Sequence, residues 1–288
     1  MKKSICILLI AVACLLCLTG TAAAEYVKFS KYNMLEITGI DDTVYVLTGR
    51  AGVWSWKPGD QELTLYESGY EWPDYEGLVA VDGVLYTVNK ENYQFTGIGE
   101  NGRGAPLDGV AIPGFKKTAH LGRGWSISSM RNTPCGLFWK VYPNEKSETE
   151  LLCRLDLSTM KLSCRSVSSI FGIFSYWIEE DGTTWVIQQK DGGIFSLCTL
   201  DWDSGKLTKV DELPHGSGGM IMKDGDMYFL VKKGQIIRRK PDGSIETIGQ
   251  VPIRQNNHKN SLLLNNDVMV YVDMNEMASF SLSEAQEQ

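Results

Sequence analysis

Glu71 and Asp74 form an acidic pair set among aromatic residues, in the stretch Ser68-Gly69-Tyr70-Glu71-Trp72-Pro73-Asp74-Tyr75-Glu76. Two carboxylates can share the work of glycoside hydrolysis when they stand about 5 to 9 Å apart. That distance exists only in space, so the sequence nominates the pair without making it catalytic. Tyr70, Trp72 and Tyr75 offer a different chemistry, because exposed rings beside hydrogen-bonding groups stack against sugars or peptides. For any single ring, a wedge between packed elements is the favoured reading. His215 lies in Pro214-His215-Gly216-Ser217-Gly218-Gly219, and Arg254 and His258 lie in a second polar connection. No strand-to-helix elbow surrounds these residues, so a Ser-His-Asp triad has no support. No catalytic residue is therefore assigned. The candidate ligand-binding residues are Tyr70, Glu71, Trp72, Asp74, Tyr75, His215 and Arg254.

The cysteines set a second problem. Three of the seven precede residue 25, leaving Cys135, Cys153, Cys164 and Cys198. There is no Cys-x-x-Cys, and His120, His215 and His258 stand apart from the cysteines, so neither spacing suggests zinc. No acidic calcium loop stands out either. No metal and no cofactor is expected. Cys153 and Cys164 flank a polar turn centred between Ser158 and Thr159, which sets them opposite each other on adjacent strands at a Cα separation of about 4.5 to 5.5 Å. That separation suits a disulfide, although four reduced cysteines remain an equally open reading. Cys198 occupies the corresponding place one repeat later, but its cross-strand partner is Lys209 or Val210, with no thiol.

The elements that position these residues begin after an export signal. Lys2 and Lys3 precede an apolar run from Ile5 to Leu18, and Ala22-Ala23-Ala24 supplies the small-residue pattern of a cleavage site. Residues 1–24 read as a signal peptide, too short in its apolar part to anchor across about 30 Å of hydrocarbon. Ala11-Val12-Ala13-Cys14 is a poor lipobox, because the apolar stretch continues past it. The mature chain, residues 25–288, is expected to be secreted, free of transmembrane segments, and monomeric. Loss of Lys2 and Lys3 takes the net charge from −7 to −9. Such a surface repels phosphate backbones, so nucleic acid is excluded as a partner. No linker divides the chain, which reads as one domain.

An internal repeat fixes the fold. A turn followed by a β-rich run recurs at Asp41-Asp42-Thr43-Val44-Tyr45, Asp82-Gly83-Val84-Leu85-Tyr86, Asp181-Gly182-Thr183-Thr184-Trp185 and Asp224-Gly225-Asp226-Met227-Tyr228, with weaker copies ending at Phe138 and Val270. The steps between them are 41, 52, 47, 43 and 42 residues. A second marker follows each of two copies: Cys153-Arg154-Leu155-Asp156-Leu157-Ser158-Thr159-Met160-Lys161-Leu162 aligns without gaps to Cys198-Thr199-Leu200-Asp201-Trp202-Asp203-Ser204-Gly205-Lys206-Leu207. Hairpins of this kind occur in any all-β protein, a two-sheet sandwich included. Periods in the forties built from short strands point instead to propeller blades. The expectation is an all-β protein: a β-propeller of six four-stranded blades, with Glu25-Tyr26-Val27-Lys28-Phe29-Ser30 closing the last blade so that neither edge is left unpaired.

The Ala-rich signal, the first repeat Ile37-Thr38-Gly39-Ile40-Asp41-Asp42-Thr43-Val44-Tyr45 and the Leu-Asp-x-x-Ser-Gly-Lys-Leu-Thr hairpin resemble the secreted propellers of Gram-positive gut bacteria, a pattern shared with pyrroloquinoline-quinone-type and WD-type propellers. That resemblance implies a place beside extracellular solute-binding domains, and it carries no catalytic residues to transfer. Glu179-Glu180-Asp181-Gly182-Thr183-Thr184-Trp185 approaches the Asp-box of sialidases but has its glycine one position early. The expected function is a non-catalytic extracellular module that binds a carbohydrate, peptide or protein, in association with solute uptake. The alternative is a carbohydrate-active enzyme, a glycosidase or polysaccharide lyase, which a cluster of converging carboxylates in the central mouth would favour.

Overall fold

In the computed structural model, residues 24–28, 34–70, 74–113, 125–143, 150–167, 173–190, 193–253, 259–273 and 275–283 are described. The signal peptide expected at residues 1–24 lies outside them except for Ala24. The first described strand is β1 (Glu25–Lys28). Blade 1 follows as β2 (Met34–Ile40), β3 (Thr43–Thr48), β4 (Gly52–Trp56) and β5 (Thr64–Glu67). Blade 2 holds β6 (Tyr75–Val81), β7 (Val84–Asn89) and β8 (Gln94–Gly97). Blade 3 holds β9 (Trp125–Thr133), β10 (Gly136–Pro143), β11 (Leu151–Asp156) and β12 (Lys161–Ser166). Blade 4 is β13 (Ile173–Ile178), β14 (Thr184–Lys190), β15 (Ile194–Leu200) and β16 (Leu207–Leu213). Blade 5 is β17 (Gly218–Lys223), β18 (Asp226–Leu230), β19 (Gln235–Arg239) and β20 (Ile245–Gln250), and blade 6 is β21 (Lys259–Leu264), β22 (Val268–Asp273), β23 (Glu276–Ser281) and β1. The six blades form a β-propeller.

Each blade is an antiparallel meander because its turns are chemically specified. Asp82-Gly83 and Asp224-Gly225 place both central residues at positive φ, the two-residue geometry whose twist matches the flanking strands. The second strand of each blade is covered on both faces, as in β7 and β18, whereas outer strands such as β5 and β16 leave most of their residues in solvent. In blade 2 the fourth position is taken by the segment after β8. Phe95 N–H donates to the Val110 carbonyl and Gly109 and Ile112 N–H groups donate back to Phe95 and Tyr93, each at 2.9 Å, so the β8 edge is not bare.

The core is divided among the blade junctions. Val79, Tyr86 and Phe95 of blade 2 pack against Leu137, Trp139 and Leu155 of blade 3. Comparable apolar clusters fill the junctions of blades 3–4, 4–5, 5–6, 6–1 and 1–2. Each blade therefore depends on both neighbours, and the ring must close to bury all of this surface. Closure runs through β1, which pairs with β23 in the register Glu25 to Ser279, Tyr26 to Ala278, Val27 to Met277 and Lys28 to Glu276. Val27 is buried, and Tyr26 Oη donates to Glu276 Oε1 at 3.1 Å.

The hairpin of β11 and β12 pairs Cys153 with Cys164 in register, and the two are joined by a disulfide with Cα atoms 4.1 Å apart. Cys198 faces Lys209, because a bulge between Leu197 and Cys198 absorbs one residue. Cys198 is buried, while Cys135 is only half-buried, in the first turn of blade 3.

Candidate functional site

The innermost strands surround the channel, and their sequences carry polar residues inside otherwise apolar runs. In five blades the pairing of the first strand with the second is interrupted by a bulge: after Met34, Glu76, Ile173 and Gly218, and opposite Trp139 in blade 3. A bulge leaves backbone groups without ladder partners, and side chains must take them up. Here the side chains come from other blades. Glu36 Oε2 of β2 accepts the Ser129 N–H at 2.6 Å, and Glu76 Oε2 of β6 accepts the Ile127 N–H at 3.0 Å. Glu76 Oε1 also accepts from Lys90 Nζ at 2.5 Å and Ser126 Oγ at 3.2 Å.

Ser129 itself has φ +53°, and its hydroxyl donates to Asn260 Oδ1 of blade 6 at 2.9 Å. The Tyr176 hydroxyl of blade 4 donates to the Ser129 carbonyl. Strand β9 is thus clamped by blades 1, 2, 4 and 6, and it bridges the channel. Glu36 is buried, and burial pushes its carboxyl up to about 8, with nearby Glu76 adding to the rise while the Ser129 N–H, Lys140 and Arg131 pull the other way. At neutral pH it is mostly a neutral acid.

Beside this bridge a cavity of about 430 Å³ opens toward the ends of the inner strands that carry the first turn of each blade, marked by Asp41 and Asn265. Arg131, two residues beyond Ser129, lines it together with Trp177, Thr38, Asn132, Thr133 and the strand β21. The Arg131 guanidinium lies 4.9 Å from the Trp177 ring centre and 5.5 Å from that of Tyr176, a cation–π arrangement. Its Nη2 donates to the Ser261 carbonyl at 3.1 Å and meets the Ser261 hydroxyl at 3.4 Å. Its Nε is buried and has no acceptor among the described residues. Glu36 and Glu76 both reach β9 but do not line this cavity.

No protein-family model matches the chain, and no curated protein does. Solved structures do. Virginiamycin B lyase from Staphylococcus aureus superposes with a TM-score of 0.58 at 11% identity, covering 90% of this chain and 99% of that one. The WD40 propeller domain of Doa1 gives 0.55 at 13% identity, covering 92% and 99%. YCF48, solved bound to D1 peptide, gives 0.54 at 11% identity, covering 92% and 98%. The likeness is one of fold.

On this propeller the residues nominated from sequence fall elsewhere. Tyr70 is half-buried in the junction of blades 1 and 2, its hydroxyl donating to the Gly97 carbonyl at 3.2 Å and its ring meeting Tyr75 edge-on at 5.1 Å. Asp74 is exposed, and its carbonyl accepts the Lys90 N–H at 2.8 Å. His215 is exposed and packs its ring on Phe195 at 5.7 Å. These residues sit on connections at the end of the inner strands opposite the cavity mouth. Glu71, Trp72 and Arg254 lie outside the described residues. The Asp-box-like segment is a self-contained turn, with Asp181 accepting the Thr183 N–H at 2.8 Å and Glu179 accepting from Trp185 Nε1 at 2.6 Å. Among the described residues no three His, Cys, Asp or Glu side chains group to hold a metal ion.

Arg131, Trp177 and Glu36 were not singled out by sequence reasoning. A signal for one of them was present: Glu36 follows Met34-Leu35 and precedes Ile37 in a strand that should be wholly apolar. A charge in an inner strand marks either a channel or a clamp.

Proposed function

We propose that this chain is a non-catalytic ligand-binding or interaction module that works outside the cell membrane. The observation that carries this reading is the use made of the channel carboxylates. Glu36 and Glu76 each spend an oxygen on a backbone N–H of β9, and neither lines the cavity, which instead presents Arg131 among amides and hydroxyls. A general acid must reach the bond it protonates, and these two are walled off.

Export is supported by the signal-like N-terminus and agrees with the Cys153–Cys164 disulfide, a bond that persists in oxidising compartments. YCF48, of the same fold, was solved bound to D1 peptide. On the sequence resemblance described above, we assign the module to surface uptake machinery, with a carbohydrate, peptide or protein as its ligand.

A carbohydrate-active or other lyase activity is the second reading, favoured by the fold likeness to virginiamycin B lyase and by the raised pKa of Glu36. Glycan and peptide arrays probed with the mature protein, followed by turnover assays on every hit, separate the two. Saturable binding without product supports the module. Product formation that disappears in Glu36→Gln would establish the enzyme.

A further inference from the structure

We propose that Arg131 is the anchor of a binding site for one small carboxylate-bearing molecule inside the channel cavity. The inference rests on the binding reading above and names the chemistry of the ligand. Among the described residues Arg131 donates only through Nη2, to Ser261, so Nη1, which unlike Nε is not buried, is left to a ligand in the cavity. No described carboxylate lies within ion-pair reach of the guanidinium, and Glu36, the acid near enough to affect it, is mostly protonated at neutral pH.

The guanidinium makes no ion pair among the described residues, and its orientation is fixed by Trp177 and Tyr176. A planar guanidinium held in this way presents a fork that matches a carboxylate. The cavity, about 430 Å³, falls in the range of sites for single small molecules. Around it Thr38, Asn132 and Asn265 offer donors and acceptors to a polar body. Asp41 at the mouth adds a requirement: the end of the ligand away from the carboxylate should donate hydrogen bonds or carry positive charge, and a second carboxylate there would be repelled.

The test uses matched pairs of probes on the intact protein by calorimetry: D-glucuronate against D-glucose, and the dipeptide Ala-Ala against its C-terminal amide. Preference of at least tenfold for the carboxylate member of either pair supports the site, and the pair that responds names the ligand's source. Arg131→Met should abolish that preference. Because loss of the stacked guanidinium can also loosen the ring, the side-chain Nε–H resonance of Arg131 is followed by NMR in the unaltered protein, where the favoured probe should shift it. Equal binding within both pairs, no binding of any probe, or binding that leaves the Arg131 resonance unmoved overturns the proposal. Binding elsewhere with Arg131→Met unaffected would end this inference and leave the binding reading intact. Turnover of a probe bound at Arg131 would support the site and end the non-catalytic reading.

Discussion

Glu36 sits between two buried residues, Met34 and Ile37, and is itself buried, so its ionisation is coupled to folding. Its carboxyl titrates near 8 in the folded chain against an ordinary value of 4.5. The folded state thus holds a proton that the unfolded state gives up. The stabilising contribution is fully present below about 4.5 and is lost as pH rises through about 8. Each unit of difference corresponds to about 1.4 kcal/mol, so the loss is on the order of a few kcal/mol. Calorimetric melting from pH 5 to pH 9 should show a steady fall in Tm. Glu36→Gln keeps an oxygen for the Ser129 N–H and cannot ionise, so it should flatten the slope and stabilise the protein above pH 8. An unchanged slope in that variant would assign the effect to another group. Arg131 presents the reverse situation, a cation whose pKa burial lowers.

At the scale of elements, β9 and the β11–β12 hairpin make separate demands. The bulge at Gly77 places its φ at +70°, and a Cβ there would lie 2.4 Å from Met130 Sδ and 3.2 Å from Ile127 Cγ2 of β9. Thr87 Oγ1 holds the bulged Gly77 carbonyl at 2.8 Å, so the backbone has little room to relax. Gly77→Ala should destabilise the protein by roughly 1–3 kcal/mol through backbone strain, with the displacement of Met130 adding to it. Urea titration measures this, and a loss below about 0.5 kcal/mol would mean that the clamp around β9 is soft.

The hairpin disulfide closes a short loop and constrains the unfolded chain by about 2–3 kcal/mol. The double variant Cys153→Ser/Cys164→Ser should lower Tm accordingly, and peptide mapping of the unreduced protein should recover one linked peptide containing both cysteines. A Cys153-to-Cys198 linkage would contradict the observed register.

For the whole molecule, the short β1 carries disproportionate weight. It contributes Val27 to the junction of blades 6 and 1 and covers the edge of β23. Deleting residues 25–28 opens an unpaired edge whose inward faces include Met277 and Phe280. Tm should fall by many degrees, and light scattering should show association. Hydrogen exchange should speed up in β23 before it does in blades 2 and 3. Unchanged stability would mean that closure does not depend on this strand.

How much of this was readable beforehand follows from what each signal depends on. The closing strand, 250 residues from its partner, followed only from the need to pair both chain ends of the repeat. The blade repeat is local: turn chemistry at Asp82-Gly83 and Asp224-Gly225, period-two hydrophobicity and a spacing in the forties write it directly into the chain. The opposition of Cys153 and Cys164 was legible for the same reason, since one hairpin turn sets it. The channel was not. Glu36 and Ser129 are 93 residues apart in sequence, and Ser129 and Asn260 are 131 apart, so nothing local indicates that they meet. The aromatic stretch around Tyr70 read from sequence as a wedge between blades more than as a binding rim. The tertiary structure shows Tyr70 packed between two blades, and it alone showed that Glu36 and Glu76 clamp β9, because approach between distant strands is a property of the closed ring. By itself the sequence determined a six-bladed propeller and the means of sealing it. Ring closure determined which side chains face the channel, and so where a ligand can be held.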